Sequence, residues 1–386
     1  MTTDRLKIAI IESVGAKGGM NYYDFSLCST LSKAGITPFL FTSCHLEKEK
    51  SDEFNVYYYF KGLFSNLPRF IRGIFFTCQY LFILIKLKID HITIVHFHFF
   101  QFTRLEWLQI WLSRIFDFRI VSTVHDAESF LYEDDQKIKS YIFSTIDRII
   151  VHNQVSRDHL LSMSPGLENK ISIIPHGNYL NFVKHHPRNI SRETLHLNDE
   201  DKILLFFGHI KEVKGLDILL HALPKVILSY PNLKLIIAGK ILKDDFQKYE
   251  QIIQKNNLEK NIIRKLQYID NELANHYFSA SDVIILPYRK IFQSGVLLMA
   301  MSYQKPVLAS DLPGMAEIIE HGSNGYLFRS EDLDSLADLL LEILGNDVEL
   351  RKVALNGYEY VKEVHNWTDI GIATANVYQQ LNGNIG

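Results

Sequence analysis

Residues 206–223, FFGHIKEVKGLDILLHAL, carry the reading of the fold. An apolar run ends at Gly208, His209 and the charged Lys211 and Glu212 follow, and Lys214-Gly215 comes just before apolar residues resume at helical spacing. A glycine between a buried strand and a helix marks a place where backbone approaches something closely. A lysine beside it is well placed to meet an anion. The same letters also fit an ordinary strand-to-helix connection with a solvated lysine, so the surroundings must decide.

Outward from this stretch, strand-length apolar runs recur. KIAII (7–11), TPFLFT (37–42), HITIVHFH (91–98), FRIVSTVH (118–125), RIIVHN (148–153) and KISIIP (170–175) precede it. KILLFFG (202–208), LKLIIAG (233–239), NIIRKLQYI (261–269), VIILPY (283–288) and PVLAS (306–310) form a second series. Helix-length segments between most of them give the alternation of parallel sheets covered on both faces. The expected fold is therefore α/β, with two Rossmann-like domains in tandem. Polar residues, Gly177 and Pro187 break the periodicity over 176–194, which places a first domain at 1–180 and a second at 181–366. NWTDIGIATANVYQQL (366–381) reads as an amphipathic helix behind a polar cap, so that 367–386 completes the first domain. Two such domains are expected to face each other across a ligand-binding cleft.

The 386 residues suit two domains of ordinary size, and 47% hydrophobic with 22% charged residues describes a globular chain. A net charge of -3 argues against nucleic acid as a partner. Cys28, Cys44 and Cys78 lack metal-ligand spacing and read as reduced thiols. MTTDRLKIAII enters a strand without a secretory h-region, which suggests a cytoplasmic location. RFIRGIFFTCQYLFILIKLK (69–88) has thirteen residues between Arg72 and Lys86, short of the roughly 20 needed to span a bilayer. The segment 63–89 suits either burial against a sheet or a helix lying on the cytoplasmic face of an anionic membrane.

Several loops at strand ends are glycine-rich or cationic. Gly18 and Gly19 follow the first strand, without the GxGxxG dinucleotide fingerprint. In the second half, Gly208, His209 and Lys214 follow one strand. QSGVLLMAM (293–301) opens a helix with Ser294 as a candidate N-cap. Capping alone would explain Ser294, yet the amides of Gly295 and Val296 would also point at an anion, aided by the helix dipole. A diphosphate bridging Lys214 and Ser294-Gly295 is the economical hypothesis. His125 and Asp126 end a strand of the first half, where a local turn is the competing explanation. Asp134-Asp135 reads as a surface loop, and no residue set is assigned to a metal.

These segments, with TVHD (123–126), VHNQVSRDHL, IIPHGN, YIDNELANHYFSASDVIILPY and SGVLLMAMSYQKPVLASDLPGMAEIIEHGSNGYLF, resemble the retaining glycosyltransferases of family 4, which have the GT-B fold. The resemblance covers nearly the whole chain. It implies an acceptor-binding first domain and a second domain that takes a nucleoside-diphosphate sugar, UDP- or GDP-linked, with no cofactor or metal. Lys214 matches the lysine of the family's diphosphate loop, whereas His209 stands where an arginine is usual. Ile291 and Met299 occupy the places of two glutamates that read the donor sugar and ribose. Ser294-Gly295 replaces the end of a glycine turn, as in a divergent subgroup with a Tyr-Arg-…-Ser-Gly loop. His125 matches a histidine that contacts the donor sugar, and backbone near Tyr268 and Ile269 is where the base would be read.

The implied reaction moves a hexose to a hydroxyl of an acceptor glycan, here a lipid-linked intermediate of a surface polysaccharide. Retention needs no protein nucleophile; inversion would need Asp126 or Glu128 as base. A nucleotide-sugar binder without activity, another sugar-phosphate enzyme of tandem fold, and a periplasmic sugar-binding protein are the alternatives.

Overall fold

The computed structural model describes residues 5–13, 19–43, 51–62, 65–126 and 135–383. Two compact units result, one from Met1–Gly177 with Asn366–Gly386 and the other from Asn178–His365.

The first unit runs β1 (Lys7–Glu12), α1 (Met20–Lys33), β2 (Thr37–Ser43), β3 (Asn55–Tyr59), α2 (Arg69–Ile89), β4 (Ile94–Phe99), α3 (Arg104–Ile115), β5 (Arg119–Val124), α4 (Gln136–Thr145), β6 (Arg148–Val151), α5 (Gln154–Met163) and β7 (Ile171–Ile173). Its parallel strands lie in the order β3-β2-β1-β4-β5-β6-β7. The second unit runs α6 (Arg188–Thr194), β8 (Lys202–Phe207), a 3-10 turn at Glu212–Lys214, α7 (Leu216–Ile227), β9 (Leu233–Ala238), α8 (Gln247–Lys255), β10 (Ile262–Lys265), α9 (Asn271–Ala280), β11 (Val283–Leu286), α10 (Gly295–Ser302), β12 (Val307–Ser310), α11 (Pro313–Ala316), β13 (Tyr326–Phe328), α12 (Leu333–Ile343) and α13 (Asp347–Val364). Its sheet reads β10-β9-β8-β11-β12-β13. Finally α14 (Trp367–Gly383) returns to the first unit.

Both sheets follow the Rossmann order, which reverses between β1 and β4 and between β8 and β11. Ligands of open α/β sheets bind beyond the carboxyl ends of strands at such switch points. Continuous apolar runs build the strands because both faces are covered: Ile203 to Phe206 and Val283 to Leu286 are all buried. α14 is fastened where its residues permit close approach. Gly371 packs on Thr30 of α1 so tightly that a Cβ would lie 2.6 Å from the threonine Cβ. Trp367 fills the space over Gly177 in the same way.

The structure refines the sequence reading at three places. The edge strand β3 and the short β13 add to the expected strands, and the expected strand at 261–269 shrinks to Ile262–Lys265. Asp135 is exposed, as the surface reading expects, and also caps α4, its carboxylate accepting from the amides of Lys137 and Ile138, while Asp134 lies outside the described residues. The apolar segment at 69–88 forms one helix, α2, with Phe76, Tyr80, Ile83, Leu84 and Leu87 buried and an apolar face in solvent. Neither full burial nor full exposure describes it.

Candidate functional site

At the switch point of the second sheet, the residues singled out by the sequence come together. Gly215 has φ of +65°, and a Cβ there would stand 1.8 Å from the carbonyl oxygen of Pro287, so only glycine lets the loop after β8 close on the end of β11. Gly239 ends β9 in the same manner, because a Cβ would meet the Gly208 carbonyl oxygen at 1.7 Å. A Cβ at Gly208 would in turn lie 3.4 Å from the side chain of Val296 in the first turn of α10. The glycine loop and the helix N-terminus therefore share one corner of the sheet.

The Tyr288-Arg289 pair fixes the cation of that corner. Lys214 holds its ammonium 3.6 Å from the centre of the Tyr288 ring, a cation–π contact over a fully buried phenol. Arg289 grips Asp217 of α7 through two hydrogen bonds of 2.8 and 2.6 Å and donates to the Glu212 carbonyl at 3.0 Å. Burial would raise the Asp217 carboxyl, but the Arg289 bonds outweigh it and hold its pKa below the usual value. His209 is exposed at the tip. Packing around its ring disfavours the charged form, and Lys211, Lys214 and Lys240 push the same way, so its pKa is lowered. A neutral imidazole thus stands at the arginine position.

Ser294 caps α10 by accepting from the Leu297 amide at 3.2 Å, which leaves the Gly295 and Val296 amides among those that a helix cannot pair internally. Tyr179 was not foreseen. Its hydroxyl lies 2.9 Å from where a Gly295 Cβ would be, while its amide donates to Ser302 at the other end of α10. Nothing in the neighbourhood of Tyr179 in the sequence signals this, since the contact spans more than a hundred residues. Met299 and Ile291 are half-buried, Tyr268 is 68% exposed, and Ile269 is buried.

In the first unit Gly19 precedes α1 with φ of +84°, and Gly18 and Glu128 lie outside the described residues. Asp126 is half-buried. His125 belongs to a row of histidines at the ends of four adjacent strands: His98 in β4, His125 after β5, His152 after β6 and His176 after β7, all buried. Their ring centres are 5.2, 4.9 and 5.3 Å apart in turn, close to the strand spacing of about 4.8 Å. Tyr23 of α1 sets its ring edge against this row.

The row has a definite polarity. The Ile174 carbonyl accepts from His152 Nδ1 at 2.9 Å. With His152 neutral, its Nε2 then accepts from His125 Nδ1 at 3.2 Å, and His125 Nε2 accepts from His98 Nδ1 at 3.0 Å. His98 Nε2 faces Asp24 at 3.8 Å. Burial, and secondarily Glu12, raises the Asp24 carboxyl well above its ordinary value. Burial and the neighbouring histidines lower His98 and His125 far below theirs. Both ring nitrogens of His125 are therefore engaged by histidines, and Phe100 stacks on its face. The apolar-run-then-His pattern in IVHFH, TVHD, IIVHN and IIPHG was the available signal for this row.

Each unit is Rossmann-ordered, and the second carries an anion-ready corner at its switch point. The sequence matches the model of Glycosyltransferase Family 4 over residues 17–180 and that of Glycosyl transferases group 1 over 187–360. An uncharacterised glycosyltransferase of Methanocaldococcus jannaschii is 26% identical over 311 residues, 76% of each chain. Among solved structures, sucrose-phosphate synthase from Thermosynechococcus elongatus superposes with a TM-score of 0.80 at 23% identity, covering 98% of this chain and 100% of the other. HepE of Anabaena in complex with UDP-glucose gives 0.75 at 17% identity, covering 98% and 100%. The chain belongs to the family 4 glycosyltransferases and is an enzyme of that class.

Proposed function

We propose that the enzyme transfers a hexose from a nucleoside-diphosphate sugar to a hydroxyl of a lipid-linked glycan in surface-polysaccharide synthesis, with retention of configuration. The observation that carries this reading is the junction of Lys214, Gly208 and the α10 N-terminus at one switch point. An ammonium and helix amides there would stabilise charge on the departing diphosphate without a metal. A structural relative of the same fold holds UDP-glucose, which favours a uridine donor; guanosine is the other candidate.

Retention lets the leaving phosphate accept the proton of the acceptor hydroxyl, so no protein base is required. His125 then serves by holding the strand ends rigid, since both its nitrogens are spent within the histidine row. An inverting reaction would instead draw on Asp126 as base. Donor base and ribose contacts fall to the backbone at Tyr268 and Ile269 and to the flank of Met299.

The exposed face of α2 supports an acceptor at a bilayer on the cytoplasmic side. Phe70, Ile74, Phe75, Phe82, Ile85 and Ile89 are each about half or more in solvent. At 100° per residue they occupy a single arc of about 140°, opposite the buried face. Among the described residues α2 is also the one helix long and apolar enough to cross a membrane by length and composition, but its buried residues tie one side to the unit. Incubating the enzyme with radiolabelled UDP-glucose, UDP-galactose or GDP-mannose and a lipid-linked glycan extract tests the reaction. Label should enter the organic phase with the donor's anomeric configuration. Release of free sugar alone, or an inverted linkage, would overturn the corresponding part.

A further inference from the structure

The second unit holds a cluster that the donor corner does not use. His186 lies in the stretch between the start of the unit and α6, while Glu272 and His276 stand four apart on α9 and so share a helix face. One ligand atom from each, two imidazole nitrogens and a carboxylate oxygen, lies within 4.8 Å of the others. His186 Nε2 is buried, lacks a hydrogen-bond donor or acceptor among the described residues, and stands 3.4 Å from Glu272 Oε1.

That separation is within the range of an imidazole–carboxylate ion pair and also fits two ligands of one ion. Zinc bonds of about 2.0–2.2 Å to nitrogen and oxygen, arranged tetrahedrally, set ligand atoms roughly 3.4 Å apart. Without the ion the two imidazoles stack, with centres 4.4 Å apart and planes at 13°, so the His186 ring would turn out of the stack for both in-plane lone pairs to reach one ion. Ser191 of α6, fully buried, lies 3.2 Å from Nδ1 of His276 and fixes that ring, as an outer partner does for a ligating histidine. The His186 amide is itself anchored on Ser279 of α9 at 3.2 Å.

We propose that His186, Glu272 and His276 form a binding site for one zinc ion, with a solvent molecule completing the tetrahedron on the exposed Glu272 side. Two imidazoles and a carboxylate favour zinc over magnesium or calcium, which prefer oxygen-only sets. The ion would staple the segment entering the second unit to α9. It would act on stability, because none of the three side chains belongs to the donor corner.

The test uses the full chain, stripped with a chelator and then titrated with zinc or magnesium while thermal unfolding and competition with a chromophoric chelator are followed. Zinc should bind with one-to-one stoichiometry and raise the Tm by several degrees, and magnesium should do neither. Glu272→Gln, which keeps the shape, should weaken zinc binding at least tenfold with the metal-free Tm unchanged. A His186→Ala, His276→Ala double variant should lose it. Zinc binding that survives in the double variant, or disappears in Cys78→Ser, would assign the metal to another group and overturn the proposal; so would the absence of any zinc-dependent shift in the wild type.

Discussion

His125 gives one ring nitrogen to His98 and the other to His152, while His96 is held between Tyr378 at 2.6 Å and Thr123 at 2.8 Å. Burial, ahead of neighbouring charge, lowers His96 to about 3 and moves His98 and His125 the same way. In the unfolded chain these rings protonate near pH 6.5. Below that pH the unfolded state binds more protons than the folded one, so stability is present above about pH 6.5 and declines as pH falls, for His96 down towards 3. Asp24 works in the opposite direction: its raised carboxyl retains a proton in the folded state that the unfolded chain loses near pH 3.9. Three histidines against one carboxyl leave the decline dominant between pH 7 and 5. Thermal unfolding at constant ionic strength should show the Tm dropping across that interval, and a flat or rising profile would contradict the assignment. His125→Ala should cost about 1–3 kcal/mol at pH 7, since it strands a donor on His98 and an acceptor on His152.

The elements differ in how far their sequences reveal them. Strands such as KILLFF declare themselves because both faces are buried, so no polar letter interrupts the run. β3, NVYYY, escaped because it is an edge strand with largely half-buried positions, and β13 has only three residues. α2 was ambiguous for a physical reason: hydrophobic letters line both its buried and its exposed face, and only packing separates them. Its exposed arc leads to a direct prediction. A phenylalanine fully removed from water contributes on the order of 1.5–3 kcal/mol, so Phe70→Ser with Phe82→Ser should lower partitioning to anionic vesicles at least tenfold, with the Tm preserved. Failure of the wild-type enzyme to sediment with such vesicles at low salt would remove the membrane from the account. α10 was the clearest case, since the Ser294 cap and the glycine after it could be read from QSGVLLMAM alone.

At the scale of the whole molecule, the tandem Rossmann organisation was legible because strand and helix periodicities alternate twice, and each sheet adopts the order that this alternation permits. The donor corner was legible in part. Gly208, Lys214 and Ser294 announce themselves at strand ends, and folding brings them to the β8–β11 switch point. Tyr179 and the Arg289–Asp217 clamp were not, because each depends on contacts between segments distant in sequence, and the histidine row left only the strand-end His pattern as its signal, its pairing being set by strand register. The central claim is that this corner binds the diphosphate of a nucleotide through Lys214. Thermal unfolding with UDP, GDP and ADP, on the wild type and Lys214→Ala, tests it most directly. One nucleotide should raise the wild-type Tm, and the variant should match the wild type without ligand while losing most of the shift. An equal shift in both proteins, or none with any nucleotide at millimolar concentration, would contradict it.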